Sequence, residues 1–203
     1  MKVDSFLTDF EPQTKFSFSF NSDIFIFEDV ISETVTSEFL ETMDGHVKYI
    51  LQKLNMNVYD GPGFETIDDT QDSYNILDWD HLDCVMSLKH TLKDVCSNLS
   101  DKDVYAKCYY DINNKPEFER IDLNENTFLN GVIGLGDSFH LQIPNPFTTN
   151  ETKTIKVSSG DFVLWPSYLR TYLTTPRNSY RKSLSLKLLT SDSDIKNYFN
   201  ISC

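Results

Sequence analysis

Ser158-Ser159-Gly160-Asp161-Phe162-Val163-Leu164-Trp165-Pro166-Ser167-Tyr168-Leu169 is the stretch on which the reading of this chain turns. Its first four residues are a turn signal: glycine supplies backbone freedom, and short polar side chains bond back to nearby main chain. Phe162 to Trp165 is an unbroken apolar run, too short for a helix and long enough for a buried strand. Pro166 removes a backbone donor and ends that strand.

Moving outward, the same grammar fills the C-terminal half. Short β-rich runs separated by turns occupy 104–112, 127–134, 138–143, 153–157, 161–165, 168–173 and 181–189. Several short strands at close spacing predict a sandwich or jelly roll. Upstream, residues 15–27 read as two strands parted by a turn at Asn21-Ser22-Asp23, because Phe16, Phe18 and Phe20 alternate with polar residues. Ser32 can cap a helix running to about residue 54, with Val35, Phe39, Met43, Val47, Ile50, Leu51 and Leu54 on one face. Gly45 weakens that helix without abolishing it. A second helix covers about 80–99, striped by Leu82, Val85, Leu92, Val95 and Leu99. The two stripes call for an apolar surface, so both helices should cover one face of a sheet. The fold class expected is α+β: a double-stranded β-helix with two packing helices. Residues 1–203 form one domain, with N-terminal strands and helices in 1–100, the jelly-roll core in 101–190 and a tail in 191–203.

Charge and cysteine usage narrow the partners. The net charge is −13, which repels a phosphate backbone and argues against nucleic acid. No apolar run is long enough to cross a bilayer. Met1-Lys2-Val3-Asp4 lacks a signal-peptide core, so the expectation is a cytoplasmic or virion protein and chance sequons at Asn98, Asn150 and Asn200. Cys84, Cys96, Cys108 and Cys203 form no CxxC pair and read as reduced, partly buried thiols. The acidic run Asp68-Asp69-Thr70-Gln71-Asp72 lacks the glycine and closing glutamate of a calcium loop. Gly131-Val132-Ile133-Gly134-Leu135-Gly136 is followed by a strand, so it reads as tight turns, not as a phosphate loop. Glu117 and Glu119 are neighbours in an acid-rich chain, which carries little weight without geometry.

The opening stretch resembles the G-D-x-V-x-F-P-S-x-L segment of 2-oxoglutarate/iron(II) oxygenases, in particular the phage-type members. Tyr105-Ala106-Lys107-Cys108-Tyr109-Tyr110-Asp111-Ile112 resembles that family's strand before its first metal ligands. Phe128-Leu129-Asn130-Gly131-Val132 resembles the F-L-S-G-V run after them, and His140 to Pro146 a later strand. Arg181-Lys182-Ser183 matches R-x-S, whose arginine pairs with the far carboxylate of 2-oxoglutarate in the family. The resemblance covers most of the chain.

The departures concern the metal. Ferrous iron in this family needs two histidines and a carboxylate on one face. Counted back from Phe128-Leu129-Asn130-Gly131, the early ligand positions fall on Asp122 and Asn124; a slip of two makes them Arg120 and Asp122. The late position falls on Thr171. None of His46, His81, His90 and His140 stands at a ligand position, although His140 lies on a core strand. The resemblance therefore implies lost iron ligands, with Asp122, Asn124 and Thr171 as relics, no metal and no cofactor. Arg181 reads either as a surviving carboxylate site or as a structural ion pair with an acid of the chain. The function expected is a non-catalytic structural or interaction protein, a virion component with protein partners. It would use the phenylalanine-rich edge at 16–27, with the old mouth closed by internal contacts. The alternatives are an active oxygenase with atypical ligands such as Asp122 and His140, or a small-anion-binding module built on Arg181.

Overall fold

The computed structural model describes residues 1–10, 18–53, 75–96, 99, 102–113, 117–120, 127–145, 151–176, 181–190 and 198–201. Within these residues eleven strands and two α-helices follow in order: β1 (Lys2–Phe10), β2 (Phe18–Phe27), α1 (Glu33–Lys53), α2 (Asp83–Cys96), β3 (Val104–Asn113), β4 (Glu117–Arg120), β5 (Thr127–Gly134), β6 (Phe139–Pro144), β7 (Thr152–Val157), β8 (Phe162–Pro166), β9 (Thr171–Thr174), β10 (Arg181–Thr190) and β11 (Phe199–Asn200). A short 3-10 turn at Ile76–Asp78 precedes α2. The major sheet runs β1-β2-β8-β5-β10-β3-β11 and the minor sheet β4-β9-β6-β7. All the ladders joining these strands are antiparallel, which is the arrangement of a jelly roll.

Alternation along the strands divides the apolar residues into two cores. On the outer face of the major sheet, Ala106, Cys108, Ile133, Phe162, Leu164, Leu184, Leu186 and Leu188 pack with Phe39 and Met43 of α1 and with Val85, Leu88 and Leu92 of α2. Both helices thus cover one sheet, as their stripes require. Between the sheets lies a second core of Ile24, Val132, Phe139, Leu141, Ile143, Ile155, Val157, Val163, Trp165, Leu169 and Leu173. Burial of each large apolar side chain contributes about 1.5–3 kcal/mol, so both cores matter to stability.

The Ser-Ser-Gly-Asp turn ties these layers together. The Asp161 carboxylate accepts hydrogen bonds from the Asp29 N–H at 3.1 Å and the Ser158 N–H at 2.8 Å. The Gly160 carbonyl accepts from the N–H groups of Val30 and Ile31, both at 3.1 Å, which docks the β2–α1 connection on this turn. Gly160 has a φ of +85°, and a Cβ there would lie 2.5 Å from the Ile31 carbonyl oxygen, so only glycine suits it.

Several expectations are corrected. Residues 21–23 continue β2 without a turn, because Asn21, Ser22 and Asp23 pair with Leu7, Phe6 and Ser5 of β1. The strand 18–27 is not an open edge either: β1 covers one side and β8 pairs with Phe25 to Phe27 on the other. Gly131 lies within β5 rather than in a turn; a Cβ there would meet the Leu164 side chain at 2.6 Å. The acidic run at 68–72 lies outside the described residues.

Candidate active site inside the jelly roll

The inward positions of the central strands form a polar lattice. Because Leu184, Leu186 and Leu188 of β10 face the helices, Arg181, Ser183, Ser185 and Lys187 face inward. Cross-strand register fixes their neighbours. Lys187 lies opposite Lys107 on one side and Asn130 on the other, and Asn130 lies opposite Trp165. The next row is Tyr109, Ser185, Val132 and Val163. Then come Asp111, Ser183 and Gly134, and last Arg181 opposite Asn113. Six residues of extended chain put Arg181 about 20 Å from Lys187 along β10.

At the Arg181 end the chemistry is that of a buried ion pair. Arg181 has 0% and Asp111 5% of its surface exposed. One terminal guanidinium nitrogen, Nη2, donates to Asp111 Oδ2 at 2.7 Å, and Nη1 reaches the Leu173 carbonyl at 3.5 Å. The guanidinium also lies 5.9 Å from the Phe139 ring centroid, within cation–π range. The structural ion pair anticipated for Arg181 is therefore present. It does not exhaust the residue, since a guanidinium carries five donors. Beside the pair, the Ser183 hydroxyl is buried and has no hydrogen-bond partner among the described residues.

Thr171 faces the same interior. It is 1% exposed and precedes the inward Leu173 by two residues, about 7 Å along β9. Backbone pairing sets Arg120 directly opposite it. Asp122 and Asn124 lie outside the described residues. His140 is exposed: the inward residues of β6 are Phe139, Leu141 and Ile143, so His140 points away from the interior. His81 and His90 are exposed as well. No group of three His, Cys, Asp or Glu that could hold a metal occurs among the described residues. Among the described residues the interior offers the Asp111 carboxylate and the Thr171 hydroxyl, and no imidazole described there faces inward, so these residues alone do not make a two-histidine, one-carboxylate set.

Charge is distributed unevenly. Lys107 (5% exposed) and the half-buried Lys187 share the inward face with Arg181, and on the inward faces of β3, β5, β8 and β10 Asp111 is the one acid. Within a chain of net charge −13 the interior is thus locally cationic. The thiols of Cys84, Cys96 and Cys108 belong to the helix-side core and take no part. Burial pushes Cys96 up to about 12, and burial together with the Glu38 carboxylate pushes Cys84 up to about 11. Burial also raises the Cys108 thiol.

Comparison with solved structures identifies this architecture. AviO1 from Streptomyces viridochromogenes matches with a TM-score of 0.57 and 13% identity over 84% of this chain and 91% of that one. A prolyl hydroxylase from Trichoplax adhaerens, solved with a hypoxia-inducible-factor peptide, matches with a TM-score of 0.56 and 13% identity over 83% of this chain and 84% of that one. A Pseudomonas putida prolyl-4-hydroxylase matches with a TM-score of 0.53 and 9% identity over 82% and 87%. The fold is that of the 2-oxoglutarate/iron(II) oxygenases. No family model and no curated protein matches the sequence. The expectation of a non-catalytic virion component is overturned here: the fold matches are to oxygenase-family enzymes, and nothing in them points to a structural role in a virion.

The sequence reading found Arg181 and Thr171 but missed Asp111, Lys107, Lys187, Asn130 and Trp165. A signal was available for Lys187, which interrupts an apolar strand six residues from Arg181 and so lies on the same face, whereas Lys107 joins that face only through the β3–β10 register.

Proposed function

We propose that the interior of this jelly roll binds 2-oxoglutarate, or a dicarboxylate of the same type, and uses it in an oxygenase-type reaction. The observation that carries the reading is Arg181, a wholly buried guanidinium on the inward face of β10. A planar fork of donors suits a carboxylate, and a low-dielectric site strengthens that attraction. Lys107 and Lys187 on the same face add to the favourable potential for a dianion. Asp111 holds one edge of the guanidinium and fixes its orientation on the inward face. Catalytic use of the site is supported by the fold matches, which include hydroxylases and a 2-oxoglutarate-dependent carbocyclase.

With Thr171 at the late ligand position, the metal set in this reading is an atypical one. A second reading, dicarboxylate binding without turnover, is favoured by one observation: Thr171 presents a buried hydroxyl at the late ligand position.

Calorimetric titration of 2-oxoglutarate, paired with a succinate assay in added ferrous iron, separates the outcomes. Saturable binding that disappears in the paired variant Arg181→Met/Asp111→Leu, together with succinate formation, supports the oxygenase reading. Binding without succinate selects the second reading. A wild-type protein that binds no 2-oxoglutarate overturns both.

A further inference from the structure

We infer that the interior row of Lys187, Asn130 and Trp165 holds an amide group of a second ligand, a peptide or carboxamide, set against the Trp165 indole and the Asn130 side chain. Trp165 is 0% and Asn130 4% exposed, and the two are directly opposed positions on the adjacent strands β8 and β5, side by side on the inward face. The indole Nε1 and the amide Oδ1 both lack a hydrogen-bond partner among the described residues. A buried donor and a buried acceptor left open on adjacent strands cost stability, and such groups persist where a ligand completes them.

The pair selects its occupant. The indole N–H can only donate, and Asn130 Oδ1 can only accept. A carboxylate would satisfy the indole and repel Oδ1. An amide satisfies both, its carbonyl accepting from Trp165 and its N–H donating to Asn130. Nε1 lies far out on the indole whereas Oδ1 stays close to its own backbone, so a group with two separated polar atoms spans them better than a single oxygen. Val132 and Val163, in the adjoining row, give the amide's substituent an apolar floor.

In the oxygenase reading this row is the substrate side of the site, and that meaning rests on the proposed function; the amide contact itself does not. It is therefore tested without 2-oxoglutarate. The indole N–H resonance of Trp165, assigned by its loss in Trp165→Phe, is followed while N-acetylglycinamide is added to the full-length protein. The resonance should shift saturably, and the methyl ester of N-acetylglycine should bind about tenfold more weakly for want of the donated hydrogen. Asn130→Leu should weaken the amide by about the same factor while raising Tm, because it removes an open polar group from an apolar site. An unmoved indole resonance, or an ester that binds as well as the amide, overturns the inference. So does a water cross-peak to the indole N–H that persists at saturating amide, since a bridging water then fills the row. A lower Tm in Asn130→Leu with unchanged amide binding assigns Asn130 a structural role instead. Failure of the co-substrate reading would appear separately, in the calorimetry on Arg181.

Discussion

Asp111→Ala should be among the most damaging single substitutions in this protein. Its side chain and that of Arg181 are 6% and 0% exposed, and they meet at 2.7 Å. Truncating the aspartate strands a guanidinium where water cannot replace the lost partner, and breaking such pairs costs about 3–5 kcal/mol. For a chain of this size, where about 1 kcal/mol moves Tm by roughly 2–4 °C, the melting temperature should fall by roughly 6–20 °C. Removing both charges is different. Arg181→Met/Asp111→Leu leaves no buried ion, and it should lie within about 1 kcal/mol of the wild type or above it. Urea unfolding of the wild type, each single variant and the pair completes a double-mutant cycle. A loss below about 1 kcal/mol for Asp111→Ala is what a solvated surface pair gives. That result would refute the placement of this pair in the interior. Asp111→Asn keeps the shape and an acceptor, costs less stability, and should bind 2-oxoglutarate more tightly because the competing negative charge is gone.

Three further outcomes follow from the frame around the site. Gly134→Ala would bring a Cβ to 2.2 Å from the Ser158 carbonyl oxygen, so backbone must move, and unfolding experiments should show a loss of about 3 kcal/mol. Asp161→Ala removes two charge-assisted bonds, from Asp29 N–H and Ser158 N–H, and should cost about 3 kcal/mol, with Asp161→Asn recovering part of it. Stability should be level below pH 9 with respect to the thiols and fall between about pH 9 and 12. Cys84 and Cys96 stay protonated in the folded chain up to about 11 and 12, so the unfolded chain loses their protons first. Denaturation midpoints measured against pH, compared with Cys84→Ala/Cys96→Ala, isolate that contribution.

The parts of the fold that were legible in the sequence are those fixed by local pattern. β5 spans Thr127–Gly134, the limits its apolar run implies. Ser32 caps α1, its hydroxyl accepting from the Val35 N–H at 3.4 Å. The parts that were not legible depend on partners distant in sequence. β1 carries Asp4 and Asp9 among its apolar residues, and it is a strand because β2 lies alongside it. The same pairing straightens residues 21–23 against their turn propensity. Arg181 was visible through R-x-S, but its partner is 70 residues away and enters only through the β3–β10 register. Asn130 resembled part of a strand motif, and its neighbour Trp165 enters only through the β5–β8 register.

Diffraction from crystals grown with 2-oxoglutarate shows directly whether Arg181 holds the dicarboxylate. Density for the dicarboxylate is expected between the two sheets, with one carboxylate on the Arg181 guanidinium and the rest of the molecule extending past Thr171 toward Lys187. Density that avoids Arg181, or an interior filled by the chain's own side chains at saturating 2-oxoglutarate, would contradict that expectation.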